Sequence, residues 1–174
     1  MVIYMVECGF MDLGREAAWN EWYSGHLQDI MAVPEFRTAQ RFIAVGSSVP
    51  KYRAMYTLES SAAFESSIYK GFKGGNFPAE WRPAITDFYR NLFDAGTAAP
   101  MVDNGSSLII VDEPVNDTVM GFSLAIWSAV GLDKSVATRG IGIVSKTEGD
   151  ALAARRLQGI GVYAALTKQI SKIS

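Results

Sequence analysis

The sequence predicts an α+β protein: a ferredoxin-like β-α-β-β-α-β unit over residues 1–114, followed by a partial β-β-α-β unit over residues 115–174. Three observations predict it. Short β-branched and aromatic runs recur between Gly-, Ser- and Pro-rich breaks. One N-terminal segment carries helical periodicity. The order of the elements through residue 114 matches the split β-α-β arrangement.

The run VIYMVE, residues 2–7, opens as a strand. Residues 15–31 follow as a helix, capped by Asp12 or Gly14, with Ala18, Trp19, Trp22, His26 and Ile30 on one face and Glu16, Asn20, Ser24 and Gln28 on another. Pro34 stops it. Residues 36–45 and 52–58 read as a hairpin joined by the Gly/Ser/Pro-rich link 46–51. Ser60 or Ser61 caps a short helix to Tyr69, and residues 71–78 are a glycine-rich loop. A second helix is predicted over residues 79–95, with Trp81, Ile85, Phe88 and Leu92 as its stripe, Pro83 near its start and Gly96 as its stop. A polar linker over residues 97–107 leads to a short strand, LIIV, at 108–111. The remainder reads as strands 120–130 and 135–145, a helix 147–158 begun by Thr147 and Asp150, and a strand 160–168. This last set matches four of the six elements of a second unit, so residues 115–174 are read as a C-terminal extension or a degenerate repeat.

At 174 residues the chain can bury a core without staples. A net charge of −2 offers no field for nucleic acid or an anionic membrane, so neither is expected as a partner. The N-terminus has no basic region and its apolar run is cut by Glu7, so no secretory leader is expected. With one cysteine, Cys8, and no apolar run long enough to span a bilayer, the expected location is the cytoplasm. One cysteine and one histidine do not make a protein zinc site, and Gly140-Ile-Gly142 reads as strand, so neither metal nor organic cofactor is expected.

The stretch WNEWYSGHLQDIMAVPEFRTAQRF, residues 19–42, resembles the dimeric α/β-barrel superfamily, and within it EthD-like and related uncharacterised proteins. The residues carrying the resemblance are Trp22, Tyr23, His26, Pro34, Phe36, Arg41 and Phe42, with Glu35 where glycine is usual. It covers about the first 114 residues. It implies a substrate cleft between helix and sheet, and activities ranging from isomerases, cyclases and decarboxylases to cofactor-free monooxygenases.

His26 is the first candidate for chemistry, because imidazole moves protons near neutral pH. Its alternative is a packing histidine. Asp29, three residues on, can orient the ring or be a solvated helix residue. Tyr52 and Tyr56 share a strand face and can stabilise an enolate-like charge, or simply pack. Arg41 can hold a substrate carboxylate, and Trp22, Tyr23, Trp81 and Phe88 can line an aromatic cleft. Glu7 interrupts an apolar strand, either as a buried base or at a wet strand end.

The expected function is therefore cofactor-independent proton transfer (isomerisation, cyclisation or decarboxylation) on a small aromatic, polyketide-like or lactone substrate. The catalytic residues would be His26, Tyr52 and Tyr56. The alternative is a non-catalytic small-molecule-binding or accessory protein. Haem binding through His26 is a third reading. A single ferredoxin-like unit leaves one sheet face bare, so a homodimer is expected.

Overall fold

The computed structural model describes residues 1–72 and 77–172. Strand β1, Val2–Phe10, alternates between two environments. Ile3 and Met5 enter one buried cluster; Tyr4, Val6 and Cys8 enter another. Helix α1 spans Glu16–Ile30 and buries Trp19, Tyr23, Leu27 and Ile30. That stripe is rotated from the predicted one: Ala18 is exposed, and Trp22 and His26 lie half-buried on its flank.

Strands β2 (Phe36–Ala44) and β3 (Tyr52–Leu58) form the expected hairpin. A 3-10 turn over Ser61–Glu65 is capped by Ser60, and the one-turn helix α2, Ser67–Gly71, by Ser66. Of the predicted loop 71–78, residues 73–76 lie outside the described residues.

The helix predicted over 79–95 is not there. Residues Arg82–Ala84 make a 3-10 turn around Pro83, and Ile85–Asp94 is strand β4, paired with β1. The stripe Trp81, Ile85, Phe88 and Leu92 lies on one side, toward α1. Its spacing looks helical because β4 carries an extra residue where its register with β1 shifts, between Thr86 and Tyr89, with Asp87 at φ 48°. Beyond the bulge, Asn91 and Phe93 are fully buried, Phe93 on the side opposite Leu92.

Strand β5 spans Ser106–Asp112. A small hairpin of β6 (Thr118–Val119) and β7 (Phe122–Ser123) precedes β8 (Ala125–Leu132) and β9 (Thr138–Ser145). Helix α3, Lys146–Ala154, starts one residue earlier than predicted: Ser145 and Glu148 form its capping box, not Thr147 and Asp150. Strands β10 (Ile160–Ala165) and β11 (Ile170–Ser171) complete the described chain.

Neighbouring strands run β10-β5-β9-β8-β4-β1-β3-β2, all antiparallel, and β10 also pairs with β2. The register Tyr163↔Ala44, Ala164↔Ile43, Ala165↔Phe42 closes the ring. The protein is a closed eight-stranded antiparallel barrel with three helices among the described residues. This overturns the expected open ferredoxin-like sheet with a partial second unit, since the closing pair joins strands on either side of residue 114. Full closure removes both sheet edges. It also places the face expected to be bare, and to call for a homodimer, inside the barrel.

Ile3, Met5, Phe42, Met55, Phe93, Leu108, Ile110, Trp127, Ile141 and Tyr163 fill the interior. The linker over 97–105, predicted only as a polar connection, stoppers one end. Gln40 clamps it, with Nε2 donating to the Val102 carbonyl at 2.6 Å and Oε1 accepting from the Val102 amide at 3.1 Å. The Ala99 amide donates to Thr57 Oγ1 at 2.9 Å. Outside the barrel, α1 covers β1–β3, and α3 packs on β5, β9 and β10. No described helix is long and apolar enough to cross a membrane.

Candidate functional site

The period-two alternation of β1, β2 and β3 sends Tyr4, Val6, Arg41, Tyr52 and Tyr56 outward beneath α1. On α1, residues four apart stack: the Trp22 and His26 rings lie parallel with centroids 5.2 Å apart. Tyr23 and Phe72 present edges to the imidazole at 5.8 and 6.0 Å. Phe77 closes over Trp22 and Tyr23 at 6.1 and 5.9 Å and is itself braced by Phe88 at 5.2 Å. These groups surround a niche lined by Tyr4, Val6, Trp22, Tyr23, His26, Ile30 and Phe77, with a volume of about 10 Å³. That is room for about one water molecule, so an aromatic guest requires the seam between α1 and Phe77 to part.

Neither nitrogen of His26 has a hydrogen-bond partner among the described residues. Burial among aromatic rings pulls its pKa below the ordinary value, against the opposing field of Asp29 and with the help of Arg41. The imidazole is therefore neutral at pH 7 and can accept a proton. Asp29 is exposed and makes no hydrogen bond to it, so of its two readings the solvated helix residue holds and the orienting pair does not form.

The other predicted residues divide. Trp22, Tyr23 and His26 come together at the niche, and Phe88 supports it from β4. Trp81 is buried between Phe10 and Trp22, with the Arg15 guanidinium 4.5 Å over its ring. Arg41 is sealed beneath α1: Nη2 donates to Asn20 Oδ1 at 2.8 Å and Nη1 to the Asn20 carbonyl at 3.2 Å. Tyr52 donates to Glu16 Oε1 at 2.8 Å and accepts from Asn20 Nδ2 at 3.2 Å, and Glu16 pairs with Lys51 at 2.6 Å. This chain of polar contacts fastens α1 to the barrel. Tyr56 is buried against Tyr4 at 5.4 Å, and burial drives its pKa well up. Neither Tyr52 nor Tyr56 is among the rings that touch His26. Cys8 is buried, its thiol pushed up to about 12, which leaves it inert at neutral pH.

Sequence reasoning missed Phe72 and Phe77. Their signal was an aromatic residue at either end of a glycine-rich loop. It also missed the partners of Glu7. Glu7 faces the barrel interior, paired with Arg53 Nη1 at 2.9 Å and with Arg139 Nη1, while Arg139 Nε holds Asp112 Oδ1 at 2.6 Å. Here the signal was an arginine inside each of two apolar strand runs, YRAMYTL and TRGIGIV. No group of His, Cys, Asp and Glu among the described residues is placed to hold a metal ion.

No family model matches the chain, and no curated protein matches it. Among solved structures, the chain is similar to an anthrone oxidase-like protein, with a TM-score of 0.58 and 7% identity, covering 98% of this chain and 92% of that one. It is also similar to a provisionally designated monooxygenase from Fusobacterium nucleatum subsp. nucleatum, with a TM-score of 0.53 and 10% identity, covering 99% and 96%. These likenesses show a shared fold along nearly the whole chain. They support the dimeric α/β-barrel resemblance at the level of fold and give nothing to the EthD-like assignment. Both neighbours are named for oxidation, and neither name supports the expected isomerase or lyase chemistry.

Proposed function

We propose that this chain is a small-molecule enzyme of oxidase or monooxygenase type, which oxidises a flat hydroxylated aromatic compound of anthrone kind at the seam between α1 and Phe77. The observation that carries the reading is the neutral His26, without a hydrogen-bond partner among the described residues, stacked on Trp22 and edged by Tyr23 and Phe72. An aromatic guest replaces ring–ring contacts already present there. The two structural neighbours, named anthrone oxidase-like and monooxygenase, support the choice of oxidation.

His26 takes the acidic proton of the substrate's methylene group or phenol. The resulting carbanion or phenolate is electron-rich and gives its electrons to dioxygen. Written in full, a ring CH2 and O2 become a ring C=O and H2O, with oxygen as both oxidant and oxygen source. The proton held on His26 returns to the departing water. A niche that excludes bulk water keeps the imidazole neutral and the anion close to its oxidant.

The test is oxygen uptake and quinone absorbance with anthrone and hydroxylated anthrones. The wild-type protein consumes one O2 per quinone formed, and His26→Gln lowers the rate by about 10²–10⁴-fold. An unchanged rate in His26→Gln overturns the role of His26. The niche of about 10 Å³ favours one second reading, a non-catalytic binder of such a ring. Quenching of tryptophan fluorescence by anthrones with no oxygen uptake would establish that instead.

A further inference from the structure

The barrel end opposite the linker stopper is open and charged. A cleft of about 570 Å³ enters there, lined by the charged residues Glu7, Arg53, Asp87, Asp112 and Arg139 together with Val49, Pro50, Tyr89, Ser135 and Val136. Its size lies within the range of about 300–1,000 Å³ typical of small-molecule sites. A second cleft of about 380 Å³, toward α3, shares Val49, Arg53 and Asp112 with it.

Three charges in this mouth are buried: Glu7 is 3% exposed, Arg53 3% and Arg139 1%. They sum to +1. Asp112, with a side chain 40% exposed and bonded to Arg139 Nε at 2.6 Å, and the exposed Asp87 add two carboxylates at the wet rim above them. One carboxylate, Glu7, serves both guanidinium groups through a single oxygen, Oε1. Arg53 also meets the sulfur of Met5 at 3.6 Å and Tyr163, whose ring centre lies 4.9 Å from the guanidinium carbon and whose hydroxyl interacts with it. Its Nε is buried and has no hydrogen-bond partner among the described residues. A buried guanidinium with an unused donor is costly unless something accepts from it. The backbone around the mouth is irregular too: the β1–β4 register shifts between Glu7 and Gly9, and Asp87 on the facing strand holds φ 48°. Such bulges and strained residues concentrate beside binding sites.

We propose that the open mouth of the barrel is a binding site for an organic monocarboxylate. Its carboxylate would seat against Arg53 and Arg139, and its apolar body would lie on Val49, Pro50 and Val136. The buried excess of one positive charge matches a monoanion. The planar guanidinium fork matches a carboxylate. The apolar walls select against a bare inorganic ion.

Benzoate is the probe, with benzamide as its neutral isostere and inorganic phosphate as the anion without an apolar body. Titration calorimetry on the whole protein reads affinity. Two-dimensional NMR of the arginine Nε–H groups and of the His26 ring reads location. The site predicts one benzoate bound, at least about tenfold tighter than benzamide or phosphate, which is about 1.4 kcal/mol. The Arg53 and Arg139 signals shift and the His26 ring stays unmoved. Arg53→Lys, which keeps the charge and loses the fork, weakens benzoate about tenfold or more. Equal affinity for benzoate and benzamide overturns the proposal, as does tighter binding of phosphate. So does movement of the His26 ring without the arginines, which assigns benzoate to the α1 seam. The wild-type titrations decide the matter even if Arg53→Lys fails to fold.

Discussion

The guanidinium carbon of Arg41 stands 4.0 Å from the centre of the Tyr23 ring. Trp19 and Tyr52 flank it at 4.9 and 5.5 Å, and no carboxylate pairs with it among the described residues. Its charge is held by π faces and by the two oxygens of Asn20, so Arg41 rivets α1 to β2.

Arg41→Lys retains the charge but cannot span both Asn20 oxygens or lie flat on Tyr23. The expected loss is about 2–3 kcal/mol, from one buried charge-assisted hydrogen bond and the desolvated cation–π contacts. Urea denaturation checks it. A loss below about 0.5 kcal/mol, the scale of a surface pair, would mean the box contributes little.

His26 titrates below its ordinary value of about 6.5. The folded state thus binds fewer protons than the unfolded chain between the lowered pKa and 6.5, and stability falls as pH drops through that interval. Above 6.5 the group contributes no penalty. The single imidazole gives one NMR titration curve, with its midpoint expected below 6.5. Wild type and His26→Gln should differ in their stability–pH slopes only in that acid window. The oxidation rate should rise with pH through the same midpoint and then level off.

Glu7 is shared by Arg53 and Arg139 inside the barrel. Glu7→Gln leaves two buried guanidinium groups with one rim carboxylate, Asp112, between them. A destabilisation of about 3–5 kcal/mol is expected, the usual effect of removing one partner from a buried pair. Thermal unfolding measures it. A change below about 1 kcal/mol would show that water compensates the arginines.

Gly149 lies inside α3, where alanine would ordinarily gain about 1 kcal/mol in helix propensity. A Cβ there would sit 2.3 Å from Ser107 Oγ and 2.4 Å from Ser107 Cβ. Gly149→Ala should therefore destabilise by about 1–2 kcal/mol net, as overpacking outweighs propensity. Ser107→Gly in the same chain should restore most of the loss.

Much of the local structure was legible. The helix over 15–31 appears as Glu16–Ile30, and strands 36–45 and 52–58 within one residue of their predicted ends. Ser60, Ser66 and Ser145 cap as short polar side chains do. What failed was one segment and, with it, the topology. ITDFYRNLFD is rich in β-formers, yet its apolar residues recur at helical spacing because a bulge between Thr86 and Tyr89 brings Ile85 and Phe88 to the same side. Ring closure was out of reach for a different reason: Tyr163 opposite Ala44 is a contact between distant segments, and no local pattern encodes it. At the site, Trp22 and His26 were legible from helical spacing, and Tyr23 only through the resemblance. Tyr52 and Tyr56 do share one face of the sheet, and Arg41 joins them there, but that face is sealed by α1 rather than open to a substrate.

The pairing of β10 with β2 also sets a timetable. A ribosome delivers β1 to β4 long before it delivers Ile160–Ala165. Until β8 arrives β4 is a free margin of the nascent four-stranded sheet, and until β10 arrives β2 is the other, each able to recruit a stray strand. Only emergence of the last segment can seal the ring. The nascent chain is thus most vulnerable to misassembly in the middle of its synthesis, and a pause in translation between residues 95 and 160 would prolong that exposure.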